Sequence, residues 1–340
     1  MIRVQPERFL RGTLPDLSWS AGGSRLPLSA CQKLTADTVR AARVPAGLHL
    51  AFTGAVSTIA LTVRTGARTT VPAPTLPEAL VVHVPGSPAT TVPVPFRGPG
   101  TVHIELPDRD PARTVRVFLP EAFGTVIDGL AADACLEPAP QGPLWFVYGD
   151  SITQGWSVSK PGLTWPSLVA DHLGLDLVNL GFAGAARGEL PVADVVVGSG
   201  AAAVTVAWGT NAWSSLPAGA NQIAETTRLF LTAVRQGLPD APVTVVSPIV
   251  RPDAEDTPNR FGARLTDLRQ ALESAVRAFA ADTGDPRITL VPGLDLVPAG
   301  QLVDGIHPGD EGHRALADGV TAHVAAGLGL STRRTAAGVR

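Results

Sequence analysis

Apolar and polar positions follow two different rules along this chain. In its first part they alternate: Ile59, Leu61 and Val63 repeat with a period of two, the spacing that turns one face of a β-strand toward a core. Short β-rich runs recur at 79–84, 101–106 and 114–119, divided by glycine and proline turns. Such strands predict an all-β sandwich over residues 1–138. Prolines crowd the same part, as at Pro72, Pro74, Pro77, Pro93, Pro95 and Pro99. Proline has no N–H to give a ladder, so these positions suit loops and sheet edges rather than central strands.

After the proline-rich joint at 137–143 the rule changes. Continuous apolar runs at 144–149, 175–180, 202–208, 242–248 and 287–293 read as strands buried on both faces. Helices are expected between them at 165–173, 222–236 and 264–281, and a last one at 311–326, with Gly174 and Gly237 as helix stops. Strand, loop and helix in repetition is the pattern of a parallel sheet covered by helices, a doubly wound α/β domain over 139–330 followed by a tail at 331–340.

A length of 340 residues agrees with two compact units. The formal charge is −3, from 27 basic and 30 acidic side chains without long like-charged runs, which gives no footprint for nucleic acid. No apolar stretch is long enough to cross a membrane, and the charged N-terminus has no apolar core of a secretory leader. Cys31 and Cys135 form no C-x-x-C pair. They are expected to be reduced, packed thiols in a cytoplasmic protein. Gly181, Gly184 and Gly188 do not make a dinucleotide-binding turn, no Walker lysine pattern is present, and no H-E-x-x-H or paired-cysteine signature suggests a metal, so no cofactor is expected.

In an open parallel sheet, ligands sit beyond the carboxyl ends of the strands. The loops there carry Gly149-Asp150-Ser151, Gly181-Phe182-Ala183-Gly184 and Gly209-Thr210-Asn211, and Asp304-Gly305-Ile306-His307-Pro308 stands just before the last helix. Nucleophilic acyl transfer needs a hydroxyl beside a base, a group that orients the base, and donors for the oxyanion. Ser151 would be the nucleophile, His307 the general base and Asp304 its orienting acid. The backbone N–H groups of Ser151 and Gly184 and the side-chain amide of Asn211 would form the oxyanion hole.

Each position also has a plainer reading. A lone Gly-Asp-Ser is a common turn, and a lone histidine before a helix is a common surface residue; the strand-end placement and the partner segments separate this case from both. His49, His83, His103, His172, His313 and His323 lack such a setting and read as structural or solvated. Asp150 fits a loop-fixing role, Asp310 a cap for the last helix, and Asp295 a poorer triad acid. Trp156, Phe182, Trp213 and Arg251 stand near the proposed loops and are candidates for contact with substrate, with core packing the alternative for the rings and a surface charge for Arg251. Trp208 and Arg187 fall under the same two readings.

With these four segments in this order, residues 144–328 resemble the SGNH (GDSL) hydrolase family. The resemblance implies a flavodoxin-like three-layer α/β/α fold, no cofactor, and hydrolysis or transfer of a small-molecule ester or acyl donor through a serine acyl-enzyme. The first part resembles the jelly-roll-like β-sandwich modules attached to some members, carbohydrate acetylesterases among them. An acetylesterase with a glycan-binding module, or a non-catalytic binder on the same scaffold, are the alternatives. Ala185 and Ala212 depart from the family pattern beside the proposed donors.

Overall fold

The structure is a computed structural model and describes residues 1–14, 17, 19, 23–68, 77–84 and 87–331. The expected tail lies outside these except for Ser331, as does most of the proline run at 71–77.

The first part of the chain forms β1 (Ile2–Val4), β2 (Leu10–Arg11), two short helices α1 (Leu28–Cys31) and α2 (Ala36–Ala41), then β3 (His49–Thr53), β4 (Thr58–Arg68), β5 (Ala79–His83), β6 (Thr90–Pro93), β7 (Gly98–Glu105), β8 (Val115–Phe118), β9 (Phe123–Ala132) and β10 (Glu137–Pro138). They build two antiparallel sheets, one ordered β1-β9-β4-β7 and one ordered β10-β3-β8-β5-β6 with β2 paired to β3. The alternation read at Ile59, Leu61 and Val63 belongs to β4, and these side chains meet Leu50, Phe52 and Val117 of the other sheet in one apolar cluster. Pro93 and Pro99 sit on β6 and β7, each at the edge of its sheet, where a missing N–H breaks no ladder. The helices α1 and α2 were not expected; both are single turns or little more, too short to leave a helical period in the sequence.

Five parallel strands follow: β11 (Leu144–Gly149), β12 (Asp176–Gly181), β13 (Ala203–Ala207), β14 (Val243–Val246) and β15 (Ile288–Val291), ordered β12-β11-β13-β14-β15. Between and after them run α3 (Ser151–Gln154), α4 (Trp165–Leu173), α5 (Leu190–Val197), α6 (Ala220–Gly237), α7 (Leu265–Thr283) and α8 (Asp310–Gly327). The sheet is apolar on both faces. Phe146, Val178 and Val204 pack under Val192, Phe230 and Leu272 of α5, α6 and α7, whereas Trp145, Val147 and Leu177 pack under Val169 of α4 and Leu316 and Val320 of α8. This is a three-layer α/β/α fold. Because β12 lies on one side of β11 and all later strands on the other, the strand order reverses between β11 and β13, and the loops leaving these strands open a crevice there.

Local signals set most helix limits. Thr164 caps α4 by accepting the Ser167 N–H at 3.3 Å, and Gly174 ends it with a left-handed φ of 66°. Gly237, read as the stop just past α6, is its last helical residue, with Leu238 at the cap; a Cβ there would stand 1.9 Å from Val197, so glycine is needed for close packing against α5. Asp310 is likewise not the cap of α8. Gly309 holds that position, and the Asp310 carboxylate instead accepts the Ser159 N–H at 2.8 Å and its hydroxyl at 2.6 Å. Cys31 is half-buried; Cys135, expected to be packed, is exposed because it stands on the loop between β9 and β10.

Candidate active site

At the end of β11 the backbone is crowded. A Cβ on Gly149 would fall 2.2 Å from the Thr153 hydroxyl and 2.3 Å from the Ala207 carbonyl, which leaves glycine as the residue that fits. Asp150 then caps α3, accepting the Ile152 N–H at 3.0 Å, and Gly155 closes the helix at φ 105°. Ser151 is thereby the first helical residue, buried but facing the crevice. Burial holds the Asp150 carboxyl up to about 6, against the pull of the backbone N–H groups it accepts.

His307 arrives from the turn before α8. Leu302 and Pro308 pair across that turn, and the Asp304 carboxylate is folded into it: Oδ1 accepts the N–H groups of Ile306 at 3.0 Å and His307 at 2.8 Å, while Oδ2 lies 2.7 Å from His307 Nδ1. The carboxylate therefore selects the tautomer with the proton on Nδ1 and leaves Nε2 as an acceptor. Nε2 stands 2.8 Å from Ser151 Oγ. The Trp156 ring covers the imidazole, with ring centroids 5.4 Å apart.

Burial disfavours the imidazolium and outweighs Asp304, while Arg251 adds to the depression, so His307 titrates below the ordinary histidine value. Burial also opposes ionisation of Asp304, but the ring and backbone N–H of His307 and the N–H of Ile306 prevail and hold its carboxyl below the usual range.

Two other strand ends face the serine. Asn211 lies on the turn after β13, is buried, and among the described residues its Nδ2 has no hydrogen-bond partner. An orphaned buried amide is costly unless something occupies the space it points into. Gly184, on the loop after β12, has φ 69° and nothing within 4 Å of where a Cβ would lie. Side chains absent from the expectations above hold this loop. Gln154 accepts the Ala183 N–H at 3.0 Å, Ser215 donates to the Gly184 carbonyl at 3.2 Å, and the Tyr148 hydroxyl accepts from Gly188 at 2.7 Å and donates to Glu189. Gln154 left one signal, a polar residue within the glycine-bounded segment after Ser151; Tyr148 left none, since it sits in an apolar strand.

Ser151, Trp156, Gly184, Asn211, Arg251 and His307 all line one cleft of ≈150 Å³. Arg251 forks onto Asp253 at 2.9 and 3.2 Å, donates to Ser214 at 3.1 Å, and lies over the Trp213 ring at 4.6 Å, while Trp213 donates to the Thr257 carbonyl at 2.7 Å. Phe182, expected near the substrate, does not line this cleft. It is 0% exposed, edge-on to Tyr148 and beneath Arg25, so it belongs to the core and cannot touch a substrate. Ala185 and Ala212 are buried in the same core, which explains small apolar side chains at those positions. Asp295 is exposed and away from these contacts, and His313 is buried beside α4, where its ring accepts the Trp165 N–H at 3.0 Å.

The model of the GDSL-like lipase/acylhydrolase family matches residues 144–325, more than half of the chain. No curated protein matches. Among solved structures, a Bacteroides ovatus protein assigned as a GDSL-like lipase superposes with a TM-score of 0.79 at 18% identity, covering 97% of this chain and 98% of its own. The salicylyl-acyltransferase SsfX3 of a tetracycline biosynthetic pathway does so with a TM-score of 0.79 at 22% identity, covering 96% of each chain. A family two carbohydrate esterase from Clostridium thermocellum gives 0.60 at 17% identity, over 83% of this chain and 92% of that one. At these identities the likeness is one of fold.

Proposed function

This chain belongs to the GDSL-like lipase/acylhydrolase family, and on that premise we propose that it is a serine carboxylester hydrolase or acyltransferase that works through an acyl-enzyme on Ser151. The observation that carries the reading is the unbroken hydrogen-bonded series from Ser151 Oγ through His307 to Asp304, beside an unpartnered Asn211 amide. Ser151 Oγ attacks the ester carbonyl while its proton passes to His307 Nε2. The oxyanion is met by the N–H groups of Ser151 and Gly184 and by Asn211 Nδ2. The carbon–oxygen bond to the alcohol then breaks, and the alcohol leaves with the proton held on Nε2. Water, or the hydroxyl of an acceptor, gives a proton to His307 Nε2 and attacks the acyl carbon; the bond from that carbon to Oγ then breaks, and Oγ takes the proton back from Nε2, which frees the serine.

A cleft of ≈150 Å³ suits a small acyl group, with Trp156 and Arg251 at its wall and Trp213 behind Arg251. That size also favours a second reading, an acetylesterase acting on carbohydrate. The two-sheet part, residues 1–138, is proposed as a β-sandwich module beside a catalytic domain at 139–330, in a cytoplasmic protein that needs no cofactor. Among the described residues no helix is long and apolar enough to cross a membrane.

A fluorophosphonate tests the mechanism. The adduct is expected on the peptide that carries Ser151; a preparation that turns over p-nitrophenyl acetate yet stays unmodified would sink it. Asn211→Ala is expected to lower kcat by about 100- to 1,000-fold with little change in KM, since the amide meets charge that exists only as the oxyanion forms. Steady-state kinetics on a short-chain ester decides this.

The pH profile follows from His307. Its neutral form is the base, so kcat/KM is expected to fall as the pH drops through its pKa. With that pKa depressed by burial, the midpoint of the acid limb should lie below about 6.5. Replacing Arg251 by Gln removes a cation that disfavours the imidazolium, and the limb should move toward higher pH.

A further inference from the structure

Residues 155–164 join α3, which starts at Ser151, to α4. They begin at the nucleophile: the Ser151 carbonyl accepts the N–H groups of Gly155 at 3.0 Å and Trp156 at 2.9 Å. Two residues later the chain is inside the other part of the molecule. Val158 is 0% exposed and belongs to the apolar cluster between the two antiparallel sheets, with Leu50, Phe52 and Val117. Every other buried member of that cluster comes from residues 9–136. Trp156 and Leu163 pack against it as well. A Cβ on Gly162 would stand 3.0 Å from the Phe118 ring of β8, so the loop also passes close to that sheet.

The turn that carries His307 needs such support. Val303, Asp304 and Gly305 are exposed, the Asp304 side chain by 44%. Its hydrogen bond to Nδ1 fixes which edge of the imidazole faces the carboxylate. A ring held along one edge can still swing about that bond and carry Nε2 away from Ser151 Oγ. A wall against the ring face removes that freedom. Trp156 is the wall, its ring inclined by 32° to the imidazole.

The indole is itself held through its neighbours. Ser151 fixes its backbone, the two sheets enclose Val158, and Ser159 donates twice to Asp310, the first residue of α8, three positions past His307. Between the indole and Val158 stands Ser157. Its φ of 71° makes it, among the described residues, the one residue other than glycine in the left-handed region. Such a conformation is costly for a residue with a Cβ and persists where the chain on both sides is fixed. Here the fixed groups are Trp156 on the imidazole and Val158 in the core between the sheets.

We propose that the two-sheet part of the chain serves acyl transfer directly: Val158 is a positioning residue that anchors the Trp156 indole in the core between the sheets and so keeps His307 in line with Ser151. The inference rests on the reading of Ser151 as nucleophile. Its test compares the full-length wild type with Val158→Ala, Trp156→Ala and the double variant, at a temperature where thermal unfolding shows all of them folded. Val158→Ala is expected to lower kcat on p-nitrophenyl acetate by about 10- to 100-fold, the scale of a misplacement of about 1 Å at the reacting atoms. KM should change far less. The second-order rate constant for inactivation by a fluorophosphonate, which reads how well His307 activates Ser151, should fall with kcat. With the indole loosened, water reaches the ring, the imidazolium is less penalised, and the acid limb of kcat/KM should move to higher pH. The other groups around His307 are unaltered in the variant: Asp304 on its own turn, Arg251 on the loop after β14, and Asp310 and His313 on α8.

In the Trp156→Ala background, Val158→Ala should cost no more than about twofold, because the link through which it acts is already gone. Val158→Ile, which refills the seat between the sheets, should restore the wild-type rate and acid limb. A role in packing alone would lower the unfolding midpoint, leave the acid limb in place and cost as much in either background; that result overturns the proposal. Should Val158→Ala not fold, Val158→Cys, which removes less volume, carries the same comparison. A wild type that resists the fluorophosphonate overturns the acyl-enzyme reading and this inference with it. A wild type labelled on Ser151 beside a folded variant labelled equally fast overturns this inference alone.

Discussion

Ser151→Ala is expected to lower kcat on an ester substrate by about a millionfold, the scale on which a serine hydrolase loses its nucleophile. Without Oγ there is no acyl-enzyme, so the initial burst in a stopped-flow trace should vanish together with steady turnover. What remains should come from Asn211, Gly184 and substrate positioning alone. The variant is expected to stay folded, because among the described residues the hydroxyl bonds only to His307 and the α3 cap is supplied by Asp150. Thermal unfolding of the two proteins side by side checks that point. Retention of more than about one hundredth of the wild-type rate would mean that the acyl group travels by another route.

Asp304→Asn should cost about 10⁴-fold in kcat, for a reason that leaves the architecture intact. The amide oxygen can still accept the N–H groups of Ile306 and His307 that shape the turn. Its NH₂ group, however, would donate to Nδ1, where the carboxylate now accepts. That moves the imidazole proton to Nε2, and Nε2 can no longer take the proton of Ser151. Substrate binding should be little changed, so the loss should appear in kcat far more than in KM. Asp304→Ala would additionally release the turn, and unfolding or hydrogen-exchange measurements should separate the two variants. A rate for Asp304→Asn within tenfold of wild type would remove Asp304 from the mechanism.

The chemistry of the cleft also explains how its parts stay in place. Arg25 is wholly buried and gives its guanidinium to the carbonyls of Ala41, Val44, Asn179 and Gly181, joining the segment after α2 to the end of β12. The loop that bears Gly184 begins at that end with Phe182, whose ring lies under Arg25. Residues outside the matched family segment thus help to hold the strand end from which one proposed oxyanion donor emerges.

Local features are legible in the order of residues. The apolar runs mark all five parallel strands to within a few residues; Gly174 ends α4 as read; and Asp304-x-x-His307 lets one turn bring an acid to an imidazole. Each is written in residues a few positions apart, and backbone geometry alone turns them into structure. Other features depend on residues far apart in the chain. The order β12-β11-β13, which brings Ser151, Gly184 and Asn211 to one crevice, leaves no local pattern. Nor does the burial of Phe182, the capture of Asp310 by Ser159 in place of a helix cap, or the clash that reserves Gly237 for packing against Val197. Period and spacing thus dictate which segments become strands and helices, and they mark which side chains are candidates for nucleophile chemistry. Which of them meet is settled in three dimensions, because packing joins side chains by distance in space, and a linear pattern does not record that distance.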